Sequence, residues 1–135
     1  MDDVIINKAA AIERFISRVR DVYQDGSVFL DDYTIQDTVI LNIQRACQAC
    51  LDLGTHIIRL QKLGIPQSSR EVFVLHQKNN IIDADLSENL QKMVGFRNIA
   101  VHDYLSLNLD IVIQIVNNGL ENFIEFKETI LKHKG

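Results

Sequence analysis

The stretch TIQDTVILNIQRACQACLDLGTHIIRLQKL (residues 34–63) decides the fold. Val39, Ile43, Ala46, Cys50, Leu53, Ile57 and Leu60 alternate in steps of four and three, which marks one face of a helix from about Thr34 to Leu63. Gly64 and Pro66 follow and stop it. A seam of this length needs long partners, and its 3.5-residue spacing favours nearly antiparallel bundle packing.

Partners are legible on both sides. Ile5, Ala9, Ile12, Ile16, Val19 and Tyr23 repeat the four-and-three spacing and predict a helix from Asp3 to about Gln24. Asp25-Gly26 should end it, with the glycine as a left-handed cap. Ser68-Ser69-Arg70-Glu71 has capping-box spacing and opens a short helix to about Lys78, where Asn79-Asn80 breaks it. Asp85-Leu86-Ser87-Glu88 offers the same signature for a helix carrying Leu86, Leu90, Met93, Val94 and Val101.

The last segment holds a conflict. Leu105, Leu107, Leu109, Ile111, Ile113 and Ile115 alternate as in a strand, yet the chain offers no second strand to pair with. Val112, Val116, Phe123 and Ile130 also fit a helical face, so a helix from about Leu109 to Lys132 is expected. The fold class is therefore all-α: one antiparallel bundle of four to five helices, a single domain over residues 1–135.

The net charge is −4, and it falls in the first 37 residues, which hold eight acids and four bases. No basic domain announces a nucleic-acid binder, so any phosphate ligand must be held by a few groups in a cleft. The acidic third suits either a solvated helix face or a basic partner. No apolar run approaches a membrane span, and the start MDDVIINK is unlike a secretory signal. With only two cysteines, a reduced, cytoplasmic protein is expected.

Polar groups crowd into FRNIAVHDY (residues 96–104). On a helix running regularly through Tyr104, Asn98 and His102 share one face, Arg97 and Tyr104 an adjacent one, and all four line one flank. Arginine supplies a planar, permanently charged fork for phosphate oxygens, and imidazole moves protons near neutrality. No carboxylate pair or His/Cys cluster resembles a metal site. Metal-free cleavage of RNA, with the 2′-hydroxyl as internal nucleophile, needs only a base, an acid and a charge stabiliser. A two-fold axis beside the motif would bring two Arg97 and two His102 into one cleft. The bland alternative is a capped helix end hydrogen-bonded to the loop after it.

The motif GFRNIAVHDY (residues 95–104) resembles the signature of the HEPN family, all-helical domains marked by Arg, four to six residues, then His. Arg97, Asn98 and His102 fit that pattern, and Tyr104 extends it to Arg-x4-His-x-Tyr, similar to the HepT toxins of toxin–antitoxin pairs. Residues 41–46 and 49–52 resemble the family's second helix, and residues 64–70 its loop into the third. Residues 92–96 and 107–112 flank the motif in the family's manner. Asn118-Gly119 departs from it, since many relatives have an acidic residue and a proline nearby.

The resemblance implies a metal-independent endoribonuclease toxin acting as a homodimer, with both motifs in a shared cleft. Arg97 would hold the scissile phosphate, His102 would transfer protons and Asn98 would orient them. It also implies a minimal nucleotidyltransferase (MNT) antitoxin that transfers AMP from ATP onto Tyr104. A bulky anionic nucleotide there would fill the cleft, occupy Arg97 and exclude RNA. No cofactor is expected in the chain itself, ATP serving only the partner. Transfer RNA is expected over messenger RNA on family grounds. Two other readings remain: a non-catalytic nucleotide-binding or scaffold subunit for a nucleotidyltransferase, using Arg97 on a phosphate, and a purely structural adaptor.

The remaining polar residues have bland readings. Cys47-x-x-Cys50 sits on a helix without redox context and is expected in the core. His56 and His76 suit structural roles. Arg59, Lys62, Arg70 and Lys78 form a local basic set, solvated by default and able to guide RNA. Lys127, Lys132 and Lys134 suit a helix C-terminus.

Overall fold

Aspartates set most helix starts in this chain. In the computed structural model, which describes residues 2–133, Asp2 caps α1 (Asp3–Val22) by accepting from the Val4 and Ile5 amides. Asp25 caps α2 (Gly26–Asp31) and Asp32 caps α3 (Tyr33–Gln61). Each such cap is worth about 1 kcal/mol. Three of the eight acids in the first 37 residues are thereby accounted for as caps.

The α1 stripe is buried as expected at Ile5, Ala9, Ile12, Ile16 and Val19. Its ending differs from expectation. The chain leaves the helix at Tyr23 in an extended conformation, and Gly26 opens α2 instead of closing α1. This short helix, absent from the pattern reading, delivers Phe29 fully into the core beside Tyr23, at 5.8 Å between ring centroids. Burial of one such ring contributes about 2–3 kcal/mol. The Gln36 amide ties the end of α2 to α3 by donating to the Phe29 and Leu30 carbonyls.

Helix α3 is the central element, packed by α1, α2, α4, α5 and α7. Val39, Ile43, Ala46, Cys50, Leu53 and Ile57 are buried, but Leu60 is 55% exposed. A straight helix drifts by about 20° per heptad from a 3.5-residue repeat, which carries the end of a long seam off its face. Ile40, Cys47, Leu51 and Ile58 are buried too, because neighbours surround α3 on several sides. Both cysteines are free and buried.

Helix α4 (Ser69–Lys78) starts where its capping box predicts, Ser68 Oγ accepting from the Glu71 amide. Glu71 reaches back to the Gln67 amide, one residue before the Ser68 amide that the motif would use. Asn80, at φ 60°, turns the chain after it. Helix α5 (Ala84–His102) is capped by Asp83, two residues before the expected Asp85. Leu86, Leu90 and Val94 are buried as read, Met93 is half-buried, and Val101 is 48% exposed.

The last segment is helical, as its second periodicity requires: α6 (Leu109–Gln114), a π-helical turn (Ile115–Gly119) and α7 (Leu120–His133) run on without a break. The π turn resets the buried positions from Val112 and Ile115 to Leu120, Phe123, Phe126 and Ile130. Asn118 and Gly119, the departure from the family pattern, lie within it. Lys132 lies in the last turn of α7 as expected, whereas Lys127 is buried and paired with Glu13 of α1. Lys134 lies outside the described residues.

Side-chain pairs define the directions. Asp2–His56 with Lys8–Asp52 makes α1 and α3 antiparallel, and Glu13–Lys127 with Arg20–Glu121 does the same for α1 and α7. Gln48–Arg97 with Asp37–Tyr104 makes the chain through α5 antiparallel to α3. Among the described residues there is no strand, and no helix is long and apolar enough to cross a membrane.

Candidate active site

The motif does not sit on one regular helix. Helix α5 ends at His102, Asp103 leaves helical geometry at φ −151°, and Tyr104 begins a 3-10 turn (Tyr104–Ser106). The flank expected on a continuous helix is therefore replaced by three separate placements.

Arg97 reaches sideways from α5 to the two neighbouring helices. Its Nη1 donates to Gln48 Oε1 of α3 at 3.2 Å, and its Nη2 donates to Ser69 Oγ of α4 at 3.0 Å. Both acceptors are neutral. No carboxylate pairs with Arg97 among the described residues, and its buried Nε has no partner. The guanidinium is oriented by hydrogen bonds while its charge stays uncompensated, a suitable state for receiving an anion.

A relay fixes that orientation. Gln48 Nε2 donates to Asp52 Oδ1 at 2.9 Å, and Lys8 Nζ holds the other carboxylate oxygen at 3.0 Å. Lys8 thus takes up the Asp52 charge, and Gln48 presents only its carbonyl oxygen to Arg97. The nearby Cys47 thiol is pushed up to about 12 by burial, against a smaller opposing pull from Arg97. It stays neutral and offers no counter-charge.

His102 and Asn98 share an exposed face of α5, as expected, and neither makes a side-chain hydrogen bond among the described residues. Arg97 and His102 are five positions apart, or about 7.5 Å of rise and about 140° of turn, so one helix does not aim both at one phosphate. Ile99, Val101 and Ile111 near them are each almost half exposed, and Leu105 is 96% exposed.

Tyr104 is 40% exposed and donates its hydroxyl to Asp37 Oδ1 of α3. Desolvation, then the hydrogen bond and charge of Asp37, push the phenol up to about 12. Along α3, Asp37 and Gln48 lie eleven residues apart, about 16 Å, so Tyr104 and Arg97 are held at different levels of the bundle. A groove of about 720 Å³ between α5 and the last helix is lined by Arg70, Lys92, Phe96, Ile99, Leu107 and Ile111. Neither Arg97, His102 nor Tyr104 faces it.

A family model described as "Ribonuclease HepT-like" matches residues 11–130. The chain belongs to the HepT-like ribonuclease family. It is 58% identical over 130 residues to the mRNA nuclease HepT of Shewanella oneidensis, covering 96% of this chain and 98% of that one. It is 26% identical over 124 residues to the tRNA nuclease HepT of Aphanizomenon flos-aquae, covering 89% and 82%. Its structure resembles, at a TM-score of 0.93 and 57% identity over 98% of this chain and 99% of the other, the tri-AMPylated Shewanella oneidensis HEPN toxin in complex with MNT antitoxin.

In this HepT-like chain the residues that position the motif were not read as site residues from sequence. Gln48 lies inside the Cys-x-x-Cys stretch, Ser69 looked like part of a cap, and Asp37 was one of many acids. Their sole signal is proximity in space. His76 and His56 are structural, as expected: His76 Nε2 donates to the Gly54 carbonyl at 2.9 Å, and His56 Nε2 pairs with Asp2 at 2.7 Å. Among the described residues no three His, Cys, Asp or Glu side chains cluster as metal ligands.

Proposed function

We propose that this chain is a toxin that cleaves RNA in a cleft shared by two copies. Arg97 grips the scissile phosphate and His102 transfers protons between the 2′-hydroxyl and the 5′-leaving oxygen. The carrying observation is Arg97 itself: a half-buried guanidinium held by two neutral oxygens, with no carboxylate partner among the described residues, five positions before an exposed histidine. Within one protomer those groups diverge around α5. A two-fold axis through the exposed apolar residues Ile99, Val101 and Leu105 would let one copy's histidine meet the other's arginine and supply two imidazoles, one as base and one as acid. Asn98, exposed one turn before His102, orients the reacting groups.

The reaction as proposed uses side chains alone and no metal ion. The 2′-hydroxyl attacks the adjacent phosphorus, the bond to the 5′-oxygen breaks, and Arg97 stabilises the charge on the phosphoryl oxygens. Messenger RNA is the better supported substrate, because the relative named for it is 58% identical and the one named for transfer RNA 26%. The name of the structural neighbour supports a nucleotidyltransferase antitoxin as partner, which would silence the toxin by adding AMP to Tyr104 with ATP as donor. The test is cleavage of messenger and transfer RNA by the purified chain in EDTA, with His102→Ala in parallel. Cutting by wild type and a loss of about 100-fold or more in the variant is expected. Nucleotide or partner binding with no cutting at all would favour the scaffold reading.

A further inference from the structure

The modification proposed for Tyr104 leaves one question of chemistry: where the phenolic proton goes. We infer that Asp37 is the proton acceptor and positioning residue for nucleotidyl transfer onto Tyr104, so that the toxin supplies part of its own silencing machinery. This rests on the reading of Tyr104 as the modified residue.

The observations are geometric. The Tyr104 hydroxyl donates to Asp37 Oδ1, joining the turn after α5 to the first part of α3 across 67 residues of sequence. Both side chains are exposed, so a macromolecular partner can reach the hydroxyl without unfolding anything. No cation pairs with Asp37 among the described residues, so its charge is free to act on Tyr104. The hydrogen bond also fixes the hydroxyl rotor, leaving an oxygen lone pair for attack from the solvent side.

In the step, Tyr104 Oη bonds to the α-phosphorus of ATP. The bond between that phosphorus and the bridging oxygen breaks, and pyrophosphate leaves with the electron pair. The phenolic proton passes to the Asp37 carboxylate and then to water. Before attack the carboxylate holds the proton on the phenol and does not ionise it. As the oxygen–phosphorus bond forms, the basicity of the phenolic oxygen collapses and transfer to the carboxylate becomes downhill. The catalytic aspartate of protein kinases takes the substrate hydroxyl proton in the same way. Once modified, the tyrosine has no hydroxyl to donate and carries a negative phosphodiester beside Asp37. Like-charge repulsion then turns the modified side chain away from Asp37.

The experiment is AMP transfer from ATP and Mg²⁺ by the cognate nucleotidyltransferase, followed by intact mass and peptide mapping. Asp37→Asn keeps an acceptor oxygen but not the base. Its kcat should fall about 100-fold, the range of general-base catalysis, with KM for the toxin little changed. Asp37→Glu should restore part of the rate, and the melting temperature of Asp37→Asn should match wild type. Transfer to Asp37→Asn at the wild-type kcat, or a rise in KM alone, overturns the proposal. Tyr104→Phe separates the two readings: if it gains AMP as fast as wild type, the modified residue is not Tyr104 and both fall together.

Discussion

Arg97 is anchored to Ser69, the first residue of α4, by a hydrogen bond of 3.0 Å from Nη2 to Oγ. A serine here fixes direction without spending the arginine's charge, which a carboxylate would neutralise. Arg97→Lys keeps the charge but loses the fork, and the cleavage rate should drop by about 100-fold or more, the usual cost of removing a transition-state donor. Ser69→Ala should cost far less, because Gln48 still holds the other Nη. Single-turnover cleavage of a defined RNA measures both. Equal rates for Arg97→Lys and wild type would remove Arg97 from the chemistry.

His102 is exposed and makes no side-chain hydrogen bond or ion pair among the described residues, so its removal tests chemistry cleanly. His102→Ala should melt within about 0.5 kcal/mol of wild type, as surface changes do. Its cleavage should nevertheless fall by a factor of about 100 to 10,000. Mixing His102→Ala with Arg97→Ala protomers should recover part of the activity if the two groups act across the two-fold axis. The mixed dimer keeps one arginine and one imidazole, so recovery shows action across the axis, and no recovery would mean action within one copy or a strict need for both imidazoles.

Tyr104 titrates at about 12, raised by burial first and by Asp37 second. A folded-state value above the unfolded value of 10.0 contributes stability below pH 10 that is lost as pH rises through 12. Asp37→Asn should bring the phenol part of the way down, since burial remains, and narrow that alkaline loss. Ultraviolet difference titration and alkaline melting curves report the two effects. An unmoved phenol in Asp37→Asn would mean that the pair does not persist in solution.

His76 is fully buried, donates Nε2 to the Gly54 carbonyl and has no partner for Nδ1. Burial holds its folded pKa below the ordinary 6.5, with His133 adding to the depression and the Gly54 bond opposing it. Between the depressed value and 6.5 the unfolded chain binds a proton that the folded chain refuses. The contribution is therefore fully present above pH 6.5 and is lost as pH falls toward the folded value. His76→Gln, which keeps a donor for Gly54, should flatten the stability profile in that window. Chemical denaturation at a series of pH values measures the slope, and an identical slope in the variant would refute the assignment.

Two helical glycines should respond oppositely to alanine. A Cβ on Gly54 would sit 2.8 Å from Val72 Cγ1 and 3.3 Å from His76 Nε2, in the core between α3 and α4. Gly54→Ala should destabilise by about 1–3 kcal/mol through overpacking. A Cβ on Gly95 would meet the Arg70 guanidinium at 2.7 Å, the far end of a flexible side chain that can swing away. Gly95→Ala should be neutral or stabilising by up to about 1 kcal/mol. Thermal melting of the two variants decides it.

Much of the fold was legible because buried faces write themselves into local spacing. The seams of α1 and α3 and the helical reading of the last segment follow from four-and-three steps that a strand cannot bury. Leu60 and Val101 broke the pattern near the ends of their helices, where the drift of a straight helix from a 3.5-residue spacing has carried the seam off the buried face. Helix α2 escaped notice because six residues are too few to show a period. Asp25 looked like the end of one helix while capping the next, since an Asp-Gly pair serves either role.

The sequence by itself determined the all-helical class, the long seams and the Arg-x4-His-x-Tyr spacing, all written within a few turns of chain. Only the tertiary structure decided what each motif residue touches. Arg97 meets Gln48 and Ser69 across 49 and 28 positions, and Tyr104 meets Asp37 across 67. The break at Asp103 turned one presumed flank into separate placements. Periodicity is a property of neighbours three and four residues apart. A hydrogen bond between helices depends on how the bundle packs and where a helix stops, and no local spacing encodes that.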